Sequence, residues 1–480
     1  MNFELVVYIL GWILDIEAAF MIMPCIVAAL SHESQGYAFL GVALVCALIG
    51  TLAIIRKPKD TRLYVKEGFV IVALSWILMS VIGCLPFVLN GDIPDFIDAL
   101  FETISGFTTT GASILDNVEG LAHCSLFWRS FTHWIGGMGV LVFLLAILPM
   151  AGGSTMNLMK AESPGPSVGK LVPKVKYTAV FLYGIYIVLT LIEIILLAAG
   201  EMSFFESVNI SLATAGTGGF GVRNDSCGSY SAYSQWVITV FMILFGVNFN
   251  VYFLVIIKKF KSAFKFEEMR AYFAIIFASA AIIFINIHNM FDTVAEALRH
   301  IFFQIGAIMT TTGFSSCDFD MWPQTSKTVL VILMFVGACA GSTGGGIKVS
   351  RLMIMLKTVY KEIISYLHPR SVRKVKMDDK VIEHEVIRAT NVYFITYMLI
   401  FVASLLLISI ENNPMVTNFT AVAAAFNNIG PGLEMVGPTR NFAFFSDFSK
   451  LVLMFDMLAG RLEIFPILLM LCPAVWRKKN

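Results

Sequence analysis

Thr108-Thr109-Thr110-Gly111, Gly216-Thr217-Gly218-Gly219, Thr310-Thr311-Thr312-Gly313 and Asn427-Asn428-Ile429-Gly430 recur at intervals of roughly a hundred residues. Each run is closed by glycine, and each follows a short amphipathic segment in a strongly apolar sequence. Bare backbone is costly in such a setting unless it is buried in protein or lines water. One run of this kind would be a loop. Four in a single register point to a ring of backbone carbonyls around a cation path.

The surrounding sequence sets the class. Of 480 residues, 58% are hydrophobic and 14% charged, with a mean hydropathy of +0.79. A soluble domain carries about 25% charged residues. Apolar stretches of about 20 residues, the length a helix needs to cross a bilayer, recur throughout. The chain therefore reads as an all-α polytopic membrane protein with the lipid bilayer as its solvent. The net charge of +1, without a basic helix or an aromatic RNA-binding box, gives no sign of a nucleic-acid partner. The eight cysteines have no metal-type spacing and read as packing residues. The opening Met1-Asn2-Phe3-Glu4 lacks a basic n-region, and the first apolar run contains Asp15 and Glu17, so it reads as a retained helix.

Spans fall at 4–30, 37–55, 67–90, 125–149, 177–199, 234–257, 271–290, 328–357, 386–410 and 451–475. Segments 95–107, 203–215, 294–309 and 415–426 are too short to cross, and each sits just ahead of a glycine run. The pattern is span, re-entrant half-helix, extended loop, span, used four times in a pseudo-fourfold arrangement after a leading two-helix unit. Internal repetition of this kind defines a fold. The units are 1–60 for the leading pair and 61–160, 161–270, 271–385 and 386–480 for the pore repeats. With the N-terminus inside, the cytoplasmic segments 56–66, 150–176, 258–270, 348–388 and 476–480 hold 27 of the chain's 34 lysines and arginines. That is a strong positive-inside bias. It puts both termini in the cytoplasm and all four glycine runs toward the outer face.

Aligning the closing glycines aligns the half-helices without gaps, and small residues such as Ser105, Gly106, Ala213, Ala307, Ala424 and Ala425 precede each run. Small residues let four segments converge on one axis. Asp98 and Glu206 near the amino ends complement the helix dipole. The carboxyl ends, each bearing about half a negative charge, then point inward where a cation needs compensation. Beyond them, glycine permits the turn and β-branched threonine suits an extended backbone.

At these residues the sequence resembles the Trk-type potassium-uptake family, part of a superfamily of potassium transporters. The likeness extends to His133-Trp134-Ile135-Gly136-Gly137-Met138-Gly139, to Ala340-Gly341-Ser342-Thr343-Gly344-Gly345-Gly346-Ile347-Lys348, and to Ala459-Gly460-Arg461-Leu462-Glu463-Ile464-Phe465. It covers essentially the whole chain. The resemblance implies a potassium-selective pore in a bacterial inner membrane, assembled as a homodimer and working with a cytoplasmic nucleotide-binding regulatory subunit. Potassium is then the transported ion, with no bound cofactor. It would be held mainly by backbone carbonyls of Thr109, Thr110, Gly111, Thr217, Gly218, Gly219, Thr311, Thr312, Gly313, Asn428, Ile429 and Gly430. Glycine at all four closing positions goes with potassium in that family, and serine in the first loop with sodium. The additional glycines Gly216 and Gly218, and the pair Asn427-Asn428, make the four loops unequal.

A gate is expected below the filter. From Thr328 the eighth span runs thirteen residues before Gly341. Thirteen residues rise about 20 Å as a helix, short of the roughly 30 Å hydrocarbon core, so the helix breaks within the membrane. The flexible stretch is Gly341, Ser342, Thr343, Gly344, Gly345 and Gly346; it lacks the spacing of a phosphate-binding loop. Arg461 lies in the middle of the last apolar span, where a charge is a functional candidate. Asp456 and Glu463 stand at the wrong helical offsets to pair with it, so it faces the pore or an acceptor on another segment, the glycine-rich loop included. Glu193 is a candidate for pairing between helices, and the tryptophans read as interfacial anchors or packing. The basic stretch Arg370–Lys376 is the candidate contact for a regulatory subunit.

Three function classes remain distinct. A gated potassium pore fits best, and a sodium-permissive or proton/sodium-coupled symporter on the same fold is the alternative. A secondary transporter of an organic solute predicts two inverted halves, against four like quarters. An enzyme would need convergent acids, histidines or a metal set, and the seven histidines fall on different faces and loops.

Overall fold

The structure, a computed structural model, describes residues 1–60, 64–147, 175–370 and 373–476. Nearly all of the cytoplasmic connection assigned to 150–176 lies outside the described residues, as do 477–480 and the Ser371 and Val372 positions of the basic stretch. Among the described residues, six helices are long and apolar enough to cross a membrane, or seven if one sharply bent pair counts as a span. The protein is a multi-pass membrane protein.

Phe3–Phe20 and Ile22–Ser31 form the first span, and Gly36–Ile55 folds back along it. Gly11 and Gly50 face each other at this crossing: a Cβ on Gly50 would come within 2.7 Å of the Gly11 carbonyl oxygen. Small residues at a membrane crossing let backbones approach in this way. Four similar units follow. In the first, Val65–Gly83 and Leu85–Asn90 lead to the short helix Phe96–Phe107 and then to His123–Ile147. The second contains Val175–Ala198, Phe204–Gly216, Ala232–Phe245 and Phe249–Ile256. The third has Glu267–Ile287, Val294–Met309, Gln324–Val336 and Val349–Leu367. His384–Ile408, Met415–Asn427, Asp447–Arg461 and Phe465–Leu471 make the fourth.

The short helices start where their sequences cap them. Asp95 accepts from the backbone N–H groups of Ile97 and Asp98, Ser203 and Glu206 form a reciprocal capping box, and Thr293 accepts from Glu296. Asp98 also pairs with Lys450 on the last span, and Glu206 with Arg223 at 2.7 Å. Dipole compensation is therefore one role of two for these acids.

Three second spans are broken, where the sequence predicts one break. In the third unit the break runs from Gly337 to Lys348, starting four residues earlier than expected. The span expected at 234–257 bends by 92° between Phe245 and Phe249, and Asn248 caps the new helix by accepting from Asn250 N–H at 2.9 Å. The span expected at 451–475 ends at Arg461. Glu463 and Ile464 then adopt φ of 59° and 68°, and Pro466 opens the next helix. Proline lacks an N–H and clashes with the carbonyl four residues back, so an uninterrupted helix cannot pass it without distortion. Arg461 thus sits at a helix C-terminus, where a cation is favoured, and Ile464 and Phe465 do not continue its helical face. A small hairpin, Lys376–Met377 with Lys380–Val381, follows the helix Val349–Leu367. Its apolar side, Val375, Met377 and Ile382, packs on Ile354.

The leading pair is tied to the first repeat by one acid. Glu33 accepts from the N–H groups of His123 at 2.7 Å and Cys124 at 3.0 Å, and meets the His123 ring at 2.8 Å. It caps a helix that starts ninety residues later. Partial burial would raise its pKa, but these hydrogen bonds outweigh it and hold the carboxyl below its ordinary value. A depressed carboxylate stabilises above its unfolded pKa, and that contribution is lost as pH falls through the folded value. Glu33→Ala is expected to cost about 0.5–2 kcal/mol at neutral pH, as cap removal does. The check is the thermal unfolding midpoint in detergent against pH: the parent and variant curves should converge in acid. Equal midpoints at neutral pH, or a gap that persists in acid, would contradict the capping role.

Candidate functional site

Each glycine run takes the same backbone path off its half-helix. Thr109, Thr217, Thr311 and Asn428 have φ of 56°, 54°, 59° and 56°, and Gly111, Gly219, Gly313 and Gly430 have φ of 79°, 83°, 79° and 99°. The residue between each pair is not in the left-handed region. Two hydrogen bonds repeat in every quarter. Thr110, Gly218, Thr312 and Ile429 donate N–H to Ser105, Ala213, Ala307 and Ala424 at 2.8–2.9 Å. The residue before each donates to Gly106, Thr214, Ile308 or Ala425 at 2.9–3.2 Å. This is a Schellman-type helix ending. Its left-handed position is filled by threonine three times, so the expectation that threonine simply supplies extended backbone needs correction. A residue held in a sparsely populated region costs about 1–3 kcal/mol and persists only where its surroundings over-determine it.

The four loops close on one another. A Cβ on Gly111 would strike the Gly218 carbonyl oxygen, one on Gly219 the Thr312 oxygen, and one on Gly313 the Ile429 oxygen. The circuit returns from Gly430 to the Thr110 oxygen, 2.9 Å from such a Cβ. Eight of the twelve residues that the sequence singles out around these glycines take part in this circuit: Thr110, Gly111, Gly218, Gly219, Thr312, Gly313, Ile429 and Gly430. Side chains behind the ring lock it: Thr108 to Thr110 at 2.8 Å, Thr310 to Thr312 at 2.7 Å, and Asn428 Nδ2 to Thr110 Oγ1 at 2.9 Å. Asn428 also donates to the Met457 carbonyl, and Tyr397 donates to Asn427 Oδ1. The paired asparagines thus replace threonine contacts with ties to the adjoining spans.

His133 explains the extra glycines of the second loop. Phe220 N–H donates to its Nε2 at 3.2 Å, so Nδ1 bears the proton and donates to the Gly106 carbonyl at 2.8 Å. Its ring and backbone occupy the space that side chains at Gly218 and Gly216 would need. A second tie joins the same two quarters. Arg129 and Glu102, both buried, pair at 2.7 Å. Glu102 accepts from Ser113 Oγ and Ile114 N–H, while Arg129 donates to the Gly221 carbonyl and covers the Phe220 ring at 4.1 Å. Sequence reasoning missed Arg129, Glu102 and His133 as parts of the site. Arg129 carried the same signal as Arg461, a charge inside an apolar run; His133 carried none beyond its glycine-rich neighbours.

Below the third and fourth loops lies the broken stretch. Gly345 N–H donates to Thr311 Oγ1 at 2.6 Å, and side chains at Gly344 and Gly345 would collide with the Thr310 and Asn427 carbonyls. Arg461 donates from Nη1 to the Thr343 carbonyl at 2.8 Å and from Nη2 to the Gly136 carbonyl at 2.6 Å. It therefore spans from the broken loop to the first quarter. Lys348 reaches back to the Gly344 carbonyl, and Arg351 pairs with Glu463 while covering Tyr393. Gly341, Ser342 and Gly346 belong to the same stretch; Ser342 turns its hydroxyl to the Cys339 carbonyl. Glu193, by contrast, is buried without an ion pair among the described residues.

Broken spans, four half-helices and a closed ring of glycine-ended loops define a four-repeat pore-loop membrane protein. The TrkH family, described as cation transport proteins, matches residues 35–478, and the chain belongs to that family. It is 34% identical to the Trk system potassium uptake protein TrkH of Vibrio parahaemolyticus, over 99% of this chain and all of that one. The Salmonella typhimurium protein of the same name is 32% identical over the full length of both. An uncharacterized cation transporter of Methanocaldococcus jannaschii is 30% identical over 98% of this chain and 95% of its own. The crystal structure of the potassium transporter TrkH from Vibrio parahaemolyticus superposes with a TM-score of 0.88, covering 99% of this chain and all of that one at 32% identity.

Removing one partner of a buried ion pair costs about 3–5 kcal/mol because the other charge is left uncompensated. Arg129→Ala should therefore depress the unfolding midpoint sharply, and more than Arg129→Ala combined with Glu102→Ala. If the double variant is the less stable by the full sum of the singles, the two residues do not act as a pair.

Proposed function

We propose that the protein takes up potassium across the bacterial inner membrane through the ring of four loops. The observation that supports this most directly is the closed circuit in which each closing glycine lies against a carbonyl of the next loop. In this reading the carbonyls of Thr109, Thr110, Gly111, Thr217, Gly218, Gly219, Thr311, Thr312, Gly313, Asn428, Ile429 and Gly430 replace the ion's hydration shell, as carbonyl rings do in potassium-channel filters. Four half-helix C-termini, each about half a negative charge, favour a cation just inside. Gly341–Gly346 is the gate, and Arg461 adds a positive barrier beneath the filter.

Both termini lie in the cytoplasm, and the basic connections face the same side. Two copies associate, and a nucleotide-binding regulatory subunit docks on the cytoplasmic surface, in keeping with the resemblance to Trk-type systems. A sodium-permissive or ion-coupled transporter on this fold is the competing reading, and a flux assay with a proton gradient separates the two.

Purified protein in liposomes should pass potassium in preference to sodium. Gly111→Ser should lower that preference several-fold, because the new Cβ displaces the Gly218 carbonyl. Arg461→Ala should raise the flux of both ions. Equal flux of the two ions through the parent overturns the filter reading. Unchanged or lower flux through Arg461→Ala, in protein of parental abundance, overturns the arginine barrier.

A further inference from the structure

Glu268 sits in the first turn of Glu267–Ile287, on the side from which the broken stretch is reached, and is 2% exposed. Its Oε1 accepts from Ala340 N–H at 2.7 Å and from Ser350 N–H at 3.1 Å. These two donors flank the glycine-rich loop, one just before Gly341 and the other just after Lys348. Its Oε2 accepts from Asn248 Nδ2 at 3.4 Å. Asn248 lies at the 92° bend of the preceding unit. One carboxylate therefore gathers both ends of the loop and the neighbouring break.

The two breaks are also joined through their backbones. Cys339 N–H donates to the Gly246 carbonyl and Phe249 N–H to the Gly341 carbonyl, each at 3.0 Å. Irregular backbone at membrane depth must be satisfied by protein, and here each break satisfies the other. Next along the helix, Glu267 N–H donates to Asp378 Oδ1 at 2.7 Å, Asp378 N–H donates back to Glu267 Oε2, and Lys357 pairs with Glu267. The hairpin that carries Asp378 is thereby fastened to the turn that holds Glu268.

We propose that Glu268 is a positioning residue that latches the glycine-rich loop in its closed place by tying Ala340 and Ser350 to Asn248. This rests on reading that loop as the gate. The carboxylate is suited to the task because it accepts at both oxygens, and hydrogen bonds to an ionised group are the stronger kind. Glu268 neither lines the ring nor touches the ion, so its loss changes how often the path is open and leaves untouched which ion passes.

The geometry supplies a reciprocal test. Asn248 Oδ1 is occupied by the Asn250 N–H, so its amide cannot rotate without losing that cap. Glu268→Gln then faces one amide donor with another, while Asn248→Asp faces one carboxylate with another. Together they exchange donor for acceptor and restore the contact. Basal potassium and sodium flux through the purified full chain in liposomes, without any regulatory protein, is the readout. Either single variant should raise both fluxes about tenfold, the factor that about 1.4 kcal/mol produces, with the potassium-to-sodium ratio unchanged. The double variant should return to the parental level. Ser350→Pro removes one donor in the first turn of a helix, where proline is tolerated; it should also raise flux and serves if a Glu268 variant does not fold. Parental flux in the single variants, an altered ion ratio, or a double variant as leaky as the singles overturns the latch. If Arg461→Ala opens the path and Glu268→Gln does not, the latch alone is wrong. If neither does, the gate reading falls with it.

Discussion

The ring depends on glycine lying against carbonyl. At three of the four closing positions even a methyl group would occupy the place of the next loop's oxygen, and at the fourth it would press upon it. No side chain mediates these contacts, so the spacing of the loops is set by backbone dimensions. Everything behind the ring, from the threonine hydroxyl pairs to His133, Asn428 and the Arg129–Glu102 pair, holds that spacing. The strain follows from the same constraint. Threonine at a positive φ is unfavourable in isolation, and it persists because each loop is pinned from its own helix and from the next quarter.

Much of this was legible in the residues. The four half-helices begin and end within a residue or two of their expected bounds, because capping residues and closing glycines are local signals. The break in the third unit was readable as a length argument. Other features were not. The bend at Gly246-Val247-Asn248 interrupts an apolar run of ordinary span length, and its cause is a partner, the Cys339 and Gly341 backbone. Pro466 was a legible stop that hydropathy overrode. His133 acts through contacts to Gly106 and Phe220, 27 and 87 positions away, and no local spacing encodes those. The left-handed threonines were misread for a related reason: β-branching predicts extended backbone, and tertiary packing prevailed.

Charge placement follows a similar division. The acids Asp95, Glu206 and Glu33 cap helices, a role that short sequence motifs announce only when the cap is local. Glu33 and Glu268 instead satisfy donors far along the chain. Each joins elements that hydrophobic packing alone would leave free to slide, since lipid offers no hydrophobic drive between helices.

Having four quarters in one chain has a consequence for charge. Gly460 presses on the Phe426 carbonyl as Gly136 presses on the Phe107 carbonyl, which makes Gly137 the counterpart of Arg461. A symmetric tetramer of identical subunits could not hold arginine in one quarter and glycine in another. It would place four guanidinium groups around the axis, and their combined repulsion would exclude cations from the path. Four quarters in one chain are free of that restriction, so arginine stands at position 461 while the corresponding position of the first quarter is Gly137.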